Sequence, residues 1–198
     1  QRLVRIKNEK ELINYCYQVA GTVGVLMCIA LECKNKKAYY FAVDLGIAMQ
    51  LTNIARDLLE DAKLDRRYIP ACFLDNLSPK KILSVSNNKN NLENNKLKES
   101  LKKILDLSEY YYKSGNSGLV FLSPKIRISI TIASNIYREI GNKLKKNGFK
   151  WYKGRIFTTK FEKIKLTVIS LLKLKIGYRP QIPIHNRKLH VNLKKILW

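Results

Sequence analysis

Two carboxylates and two amides share one face of a predicted helix in the middle of the chain. Asp57 and Asp61 are four residues apart, and Asn53 and Gln50 continue the same stripe toward the amino terminus. Residues three and four apart are neighbours on a helix surface, so the two anions repel each other unless a cation lies between them. Apolar residues flank the stripe on both sides, which favours a buried helix whose polar face lines a cavity.

Oxygen ligands beside arginines are typical of a site for a divalent cation and a phosphate. Mg²⁺ is usually held by one or two carboxylates together with the phosphates of a substrate. Arg56, Arg66 and Arg67 lie in the same stretch, and a guanidinium group can bind phosphate through two parallel hydrogen bonds. The alternative is an ordinary solvated helix face, because aspartates at this spacing also occur on surfaces without any ligand.

Three longer stretches carry extended motifs: YCYQVAGTVG at 15–24, NIARDLLEDAKLDRRYIP at 53–70 and RISITIASNIYREIGNKLKKNGFKWYKGRIF at 127–157. The second resembles the second aspartate-rich motif of the phytoene/squalene synthase family, the head-to-head prenyl-diphosphate synthases. The first resembles that family's other signature, and the third its late helix and the turn that follows. The matches run in the family's order over nearly the whole chain, and they are most similar to the bacterial phytoene synthases.

The resemblance implies a fold and a set of site residues. The fold is all-α, an isoprenoid-synthase-type helical bundle around a central cavity. The metal would be Mg²⁺ or, alternatively, Mn²⁺, with ligands Asn53, Asp57 and Asp61. The residues that would bind diphosphate are Gln50, Arg56, Arg66 and Arg155. The catalytic residues would be Tyr15, Asp57, Asp61 and Tyr137. The wall of the prenyl-chain pocket would be formed by Val19, Ala20, Val23, Gly24, Met27 and Leu45.

The implied reaction is the condensation of two geranylgeranyl diphosphates, through a cyclopropyl intermediate, to phytoene. One alternative is squalene or dehydrosqualene synthesis from farnesyl diphosphate, because chain length depends on a cavity depth that the sequence does not show. Another is a non-catalytic assembly protein of the same fold. Terpene cyclases are disfavoured, because they carry Asn, Ser/Thr and Glu at the offsets where this chain has Asn53, Asp57 and Asp61.

The domain organisation is expected to be a single domain over residues 1–198 that forms the C-terminal portion of a larger helical domain. The family has a first aspartate-rich motif, D-x-x-x-D or D-E-x-x-D, and none precedes residues 15–24 here. Residues 177–198 are predicted to be an irregular basic tail. Its two histidines, His185 and His190, are expected to have no partner and no role.

The net charge of +23 restricts the classes of partner. Such a surface attracts anionic lipids and nucleic acids. Peripheral contact with the inner face of a membrane is therefore expected, and the alternative is a coding bias toward Lys, Asn and Ile. A cytoplasmic location is expected from the cysteines, which are described next. Nucleic-acid binding is not expected, because aromatic residues do not alternate with basic ones as they would in a stacking platform for bases.

The cysteines and the apolar runs give two further expectations. The 4 cysteines form no CxxC pair and have no histidines at zinc-ligand spacing, so a reducing compartment is expected. The longest apolar run, Val19 to Leu31, is shorter than the ~18 to 20 residues of a membrane span.

Periodicity predicts helices over 9–32, 37–64, 97–114, 124–147 and 159–174, a helical turn at 79–84 and a polar loop at 87–95.

Overall fold

The computed structural model describes residues 4–87, 92–177 and 181–193. Within these ranges the protein contains eight α-helices and no β-strand, apart from a single bridge between Arg5 and Arg67. The helices are α1 (Glu9–Cys16), α2 (Thr22–Ala30), α3 (Ala38–Arg56), α4 (Leu58–Lys63), α5 (Pro79–Asn87), α6 (Leu92–Ser117), α7 (Pro124–Lys146) and α8 (Lys160–Gly177). The all-α prediction is confirmed.

The first predicted helix forms, but it is not uniform. Asn8 caps α1, because its side-chain oxygen accepts a hydrogen bond from the Glu11 amide at 2.9 Å. A π-helical turn, Tyr17–Gly21, then separates α1 from α2. Turns of this kind are frequent at functional sites, and this one leads directly into the residues predicted to form the pocket.

Close packing of α2 and of the π-helical turn on α3 accounts for two of the glycines. A Cβ atom on Gly24 of α2 would lie 2.3 Å from the carbonyl oxygen of Ala42, and one on Gly46 would lie 2.3 Å from that of Ala20 in the π-helical turn. Both segments therefore contact the backbone of α3, and only glycine fits at either position. Since Gly24 also borders the cavity described below, its small size serves both packing and pocket shape.

The core is built around α3, which packs against α2, α6 and α7. Ile47 and Leu51 of α3 and Leu101 and Ile104 of α6 are completely buried. Burial of an aliphatic side chain of this size contributes about 1.5–3 kcal/mol. The fold therefore holds α3, the helix that carries most of the candidate site, at its centre.

The predicted helix 37–64 is interrupted at Asp57. This residue has φ −98° and ψ 13°, and it separates α3 from α4. The Asp57 amide still donates to the Asn53 carbonyl at 2.9 Å, and the Asp61 amide donates to the Asp57 carbonyl at 2.8 Å. Asn53, Asp57 and Asp61 therefore remain stacked along one side despite the break.

Two other boundaries differ from prediction. The predicted polar loop 87–95 is shorter, because α5 extends to Asn87 and α6 begins at Leu92, while 88–91 lie outside the described residues. Helix α6 continues to Ser117 and includes Gly115, where a Cβ atom would lie 2.7 Å from the Leu45 amide nitrogen. A close helix contact therefore explains Gly115, which lies just beyond the predicted helix 97–114.

The predicted irregular tail is only partly irregular. Within 181–193 it contains a short 3₁₀ helix, Arg187–His190, and residues 178–180 and 194–198 lie outside the described residues. The expectation that His185 and His190 have no partner is wrong. Both histidines hydrogen-bond to Asp44, because the folded chain brings this segment back against α3.

One helical run meets a length and composition criterion for crossing a membrane. It is Glu9–Ala30. Its most apolar stretch of 18 residues has a mean hydropathy of 1.5, and 44% of that stretch is buried within the protein. The expectation that no segment is long enough therefore does not hold for this run. Core helices meet the same criterion, and this run packs against α3.

Candidate active site

A cavity of about 310 Å³ lies between α2, α3, α6 and α7. The six residues predicted to form a prenyl-chain pocket all line it: Val19, Ala20, Val23, Gly24, Met27 and Leu45. Tyr137, predicted to be catalytic, borders it from α7. The wall is almost entirely apolar, and Gln50 and Asn53 bring polar groups to it from α3.

The polar end of the cavity has an unsatisfied oxygen. Asn53 Oδ1 is buried and has no hydrogen-bond partner among the described residues. Leaving a buried acceptor unpaired costs about 1–3 kcal/mol, so such an atom needs a reason. Asp57 follows one helical turn later, and the polar stripe therefore leads from the cavity wall to the carboxylates.

Asp57 is held between two guanidinium groups. Its Oδ1 accepts from Nε of Arg56 and Nε of Arg155, each at 2.7 Å. Its Oδ2 accepts from Nη2 of Arg56 at 2.7 Å and Nη2 of Arg155 at 2.9 Å. Burial alone would raise the pKa of Asp57, but these hydrogen bonds and positive charges outweigh burial and hold the pKa below its usual value. Asp57 is therefore an anion at neutral pH.

Asp61 has the opposite environment. Burial, and then repulsion from Asp57, raise the pKa of Asp61 to about 6, although the charges of Arg66 and Arg155 partly offset the shift. No described residue donates a hydrogen bond to its carboxylate. A carboxylate that is desolvated, faces a second anion and has no donor is suited to a cation.

The two tyrosines predicted to be catalytic lie at different ends of the site. Tyr15 is beside the carboxylates, where its ring packs on Tyr68 at 4.9 Å between centroids. Burial, and then a hydrogen bond to Tyr68, raise the pKa of Tyr15, and the charge of Asp61 adds to the shift. Tyr15 is therefore a neutral hydroxyl near Asp61, whereas Tyr137 borders the cavity.

The turn after α7 places Arg155. Trp151 is buried and donates from Nε1 to Asn94 Oδ1 at 3.0 Å, which anchors the turn to α6. Gly154 follows with φ +85°, a conformation that side-chain-bearing residues rarely adopt. Together they bring a residue 98 positions away in sequence onto Asp57.

The arginines of the central motif have separate roles. Arg66 is close enough for its charge to lower the pKa of Asp61, and its amide donates to the Asp61 carbonyl at 2.8 Å. The suggestion that Arg67 binds phosphate is wrong. Arg67 is buried, and its guanidinium donates to Asn76 Oδ1 and to the carbonyl oxygens of Leu77 and Ile6, so it ties the amino-terminal segment to the loop before α5.

Sequence reasoning missed Glu60. Its Oε2 is buried with no hydrogen-bond partner among the described residues, and its charge acts on Asp61 and Arg155. The available signal was its position three residues after Asp57, which places the two side chains on neighbouring parts of a helix surface. The site therefore contains three acidic groups close together.

The sequence matches the squalene/phytoene synthase family model over residues 1–162. The chain belongs to the squalene/phytoene synthase family. It is 37% identical over 163 residues to a phytoene synthase of Pseudescherichia vulneris, a match covering 81% of this chain and 51% of the relative. It is 38% identical over 160 residues to a 15-cis-phytoene synthase of Paracoccus sp., a match covering 81% of this chain and 50% of the relative. This family member thus spans about half the length of the curated relatives it matches.

Solved structures agree in fold. A dehydrosqualene synthase in complex with ligand superposes with a TM-score of 0.71 at 24% identity, over 86% of this chain and 59% of that one. A squalene synthase from Alicyclobacillus acidocaldarius gives a TM-score of 0.66 at 17% identity, over 75% of this chain and 55% of that one. These likenesses support the helical fold predicted for a family member.

Proposed function

We propose that this chain forms one side of the active site of a phytoene synthase, which joins two geranylgeranyl diphosphates head to head. The observation that carries the proposal is the continuity of an apolar cavity with a cluster of carboxylates and arginines along α3 and α4. An amphipathic substrate with a long hydrocarbon chain and a diphosphate needs both parts side by side. The proposal is supported by curated phytoene synthases that are 33–38% identical to this chain.

The residues present fit a divalent cation, and we propose Mg²⁺. Within the part of the chain that the structure describes, the buried Oδ1 of Asn53 is unpaired and the carboxylate of Asp61 has no hydrogen-bond donor. When bound, the ion would neutralise charge that develops on a departing diphosphate. Asp57 differs, because two arginines already occupy the roughly four acceptor positions that a carboxylate offers. Asp57 can therefore become a ligand only after one guanidinium has moved away.

Arg155 is the guanidinium that can move. Its side chain is 43% exposed, whereas that of Arg56 is 14% exposed. A diphosphate offers Arg155 the same bidentate geometry as the Asp57 carboxylate. We infer that Arg155 transfers from Asp57 to the incoming diphosphate, so that binding of the substrate frees a metal ligand. Arg56 stays on Asp57 and preserves its orientation.

The cavity would handle the carbocation that remains after diphosphate leaves. Its wall is apolar around Val19, Val23 and Leu45, and exclusion of water prevents premature quenching of a reactive intermediate. Tyr137 would orient the groups of the substrate that lie at the cavity border. Squalene or dehydrosqualene synthesis from farnesyl diphosphate would use the same residues with a shorter chain, so it is an outcome of the test below.

We propose in addition that this chain is the C-terminal portion of a longer synthase domain. It spans about half of its curated relatives, and several large apolar side chains on α2 and α8 are exposed. Leu26 is 62% exposed, Ile29 56% and Phe161 79%. Exposed apolar faces of this extent usually have a partner surface. The remaining half of the domain would cover them and contribute the first aspartate-rich motif opposite Asp57 and Asp61.

The test is product identification with the full-length gene product. Supplied with Mg²⁺ and labelled geranylgeranyl diphosphate, it should form phytoene. A hydrocarbon from farnesyl diphosphate only would instead assign the squalene-type reaction. No condensation product from either substrate would contradict the enzyme and favour a non-catalytic assembly protein.

A pair of variants distinguishes catalysis from folding. Asp57→Asn should abolish turnover while circular dichroism shows unchanged helical content. Asp106→Asn is the matched control, because Asp106 pairs with Lys145 on the exposed side of α6 and its loss should leave turnover unchanged. Loss of helical content in Asp57→Asn would mean that Asp57 has a structural role.

A further inference from the structure

A second cluster of ligating groups lies at the other end of α3, away from the carboxylates of the candidate active site. Asp44 is completely buried in α3, and both of its oxygens are bound by imidazoles from the C-terminal segment. His190 Nε2 lies 2.7 Å from Asp44 Oδ1, and His185 Nε2 lies 2.9 Å from Asp44 Oδ2. Thirteen residues of helix separate Asp44 from Asp57, or about 20 Å, so the two clusters are independent.

The three side chains are close together and shielded. One ligand atom from each lies within 4.8 Å of the other two. The side chain of His185 is 10% exposed and that of His190 is 6% exposed. His190 Nδ1 is buried and has no hydrogen-bond partner among the described residues, so the hydrogen bond of this ring is the one with Asp44. The ring also packs near Tyr40 and His185, with centroids 6.0 Å and 4.4 Å away.

Contacts around the cluster fix its geometry. Ser114 Oγ donates to Asp44 Oδ2 at 2.5 Å and orients the carboxylate from α6. Asn14 of α1 donates to the carbonyl oxygen of Asn192 at 2.5 Å, and the Tyr111 hydroxyl donates to that of Leu189 at 2.8 Å. The segment that carries both histidines is therefore anchored on α1, α3 and α6. A metal ligand needs such support to keep its orientation.

The donor set differs in kind from that of Asn53, Asp57 and Asp61. Two imidazole nitrogens and one carboxylate oxygen are the ligands of Zn²⁺ and similar transition-metal ions, whereas Mg²⁺ prefers oxygen alone. With neutral imidazoles the cluster carries one negative charge in a buried position, which a divalent cation would compensate. We propose that Asp44, His185 and His190 form a zinc-binding site that fastens the C-terminal segment to α3.

A surface cleft borders one of the three proposed ligands. It is lined by His185, Tyr40 and Phe41, so an ion, and a water as fourth ligand, would enter on the His185 side. Lys37 and Arg187 also border the cleft, and their charges oppose entry of a cation. The proposed affinity therefore comes from the three ligands and not from long-range attraction.

Cobalt spectroscopy tests the proposal without any assay of activity. One equivalent of Co²⁺ added to the metal-free full chain should produce visible d–d bands that Zn²⁺ abolishes and that excess Mg²⁺ leaves unchanged. Zn²⁺ should also raise the Tm. His190→Gln and His185→Gln should each lose the bands, and Ser114→Ala should weaken zinc binding by about 10- to 100-fold through the orientation of Asp44.

Asp57→Asn is the matched control and should keep the bands, because it alters the other cluster. Circular dichroism of each variant establishes that it is folded. Absence of the bands in the wild-type protein, or their persistence in both folded histidine variants, would overturn the proposal. The histidines would then serve only as hydrogen-bond donors to Asp44. Neither result depends on whether the chain has synthase activity.

Discussion

Asp57 and Asp61 are neighbouring carboxylates with different electrostatic surroundings. Arg56 and Arg155 surround Asp57 and lower its pKa, whereas burial beside Asp57 raises the pKa of Asp61 to about 6. The difference arises because one carboxylate takes both guanidinium groups. Asp57 is thus an anion at neutral pH that holds Arg155 in an ion pair, and Asp61 is the group whose charge depends on pH and on a bound cation.

The raised pKa of Asp61 predicts a pH-dependent cost in stability. An unfolded aspartate has a pKa of about 3.9, so the folded protein binds this proton more tightly. The cost therefore appears as pH rises from about 4 to 6 and is fully present above pH 6. We expect Asp61→Asn to raise the free energy of unfolding at pH 7.5 by about 1 kcal/mol, a value reduced for partial solvent exposure. Urea denaturation in EDTA measures the difference, which should disappear near pH 4.

Asp57→Asn provides the opposite control for the same measurement. Removing this carboxylate leaves Arg56 and Arg155 close together without a counter-charge, so the free energy of unfolding at pH 7.5 should fall. The depressed pKa of Asp57 means that its stabilisation is present at neutral pH and is lost as pH falls through the folded pKa. If Asp61→Asn also destabilised the protein at pH 7.5, the assignment of Asp61 as a repelled, unpaired anion would be wrong.

Local spacing and the family resemblance each predicted part of the site. The stripe of Asn53, Asp57 and Asp61 follows from helical periodicity, and the six pocket residues that the resemblance implied do line the cavity. The resemblance of the late motif named Arg155, but spacing alone could not show that it binds Asp57. The partners of Arg67 and the two histidines were missed for the same reason, since His190 and Asp44 are 146 residues apart.

At the scale of elements, α3 organises the molecule because it carries different chemistry along its length. Asp44 near its start faces the C-terminal segment, Leu45 to Asn53 border the cavity, and Asp57 marks its end. Helix α2 can approach this helix because Gly24 has no side chain, and the π-helical turn can approach it because Gly46 has none. The cavity wall therefore depends on backbone contact between α3 and these two segments.

Gly46→Ala should show how much that contact matters. Its added methyl group would meet the Ala20 carbonyl oxygen at 2.3 Å, and backbone cannot move aside as a side chain can. Overpacking of this kind costs about 1–3 kcal/mol, against the ~1 kcal/mol that alanine gains over glycine in helix propensity. Because the clash is with backbone, we expect a lower Tm and a net loss of up to about 2 kcal/mol in the free energy of unfolding.

Gly141→Ala in α7 is the matched control. Its Cβ would lie 3.1 Å from Cδ2 of Leu105, the end of a flexible side chain that can shift. This variant should be neutral or stabilised by up to about 1 kcal/mol. Equal losses in the two variants would show that the close approach of the π-helical turn to α3 is not the reason for Gly46.

Helix existence could be predicted better than helix boundaries. Amphipathic periodicity found the long helices, because burial of one face determines them. The break at Asp57 was not predictable from spacing, since DLLED continues the helical pattern without a Gly or Pro. The early start of α6 within an asparagine-rich stretch was also not predictable from spacing, because it depends on a distant contact. Asn94 is buried and accepts a hydrogen bond from Trp151, which is 57 residues away.

At the scale of the whole molecule, net charge and exposed apolar surface point to different partners. The apolar faces of α2 and α8 suit the remaining half of a synthase domain, as proposed above. The net charge of +23 comes from 38 Lys and Arg residues against 15 Asp and Glu residues. An electrostatic attraction that this charge produces would not depend on the apolar faces. We propose that the charge gives peripheral attraction to anionic lipid, and the alternative remains a compositional bias toward lysine.

Vesicle binding separates these two explanations of the charge. The full-length protein should co-sediment with vesicles containing anionic phosphatidylserine at 0.1 M salt, and much less with neutral phosphatidylcholine vesicles. Since the screening length falls from about 10 Å at 0.1 M to about 3 Å at 1 M salt, binding should be largely lost at the higher concentration. Binding that persists at 1 M salt would identify apolar contact as its cause. No binding to anionic vesicles at 0.1 M would leave the lysine content without a membrane role, because electrostatic attraction is strongest where screening is weakest.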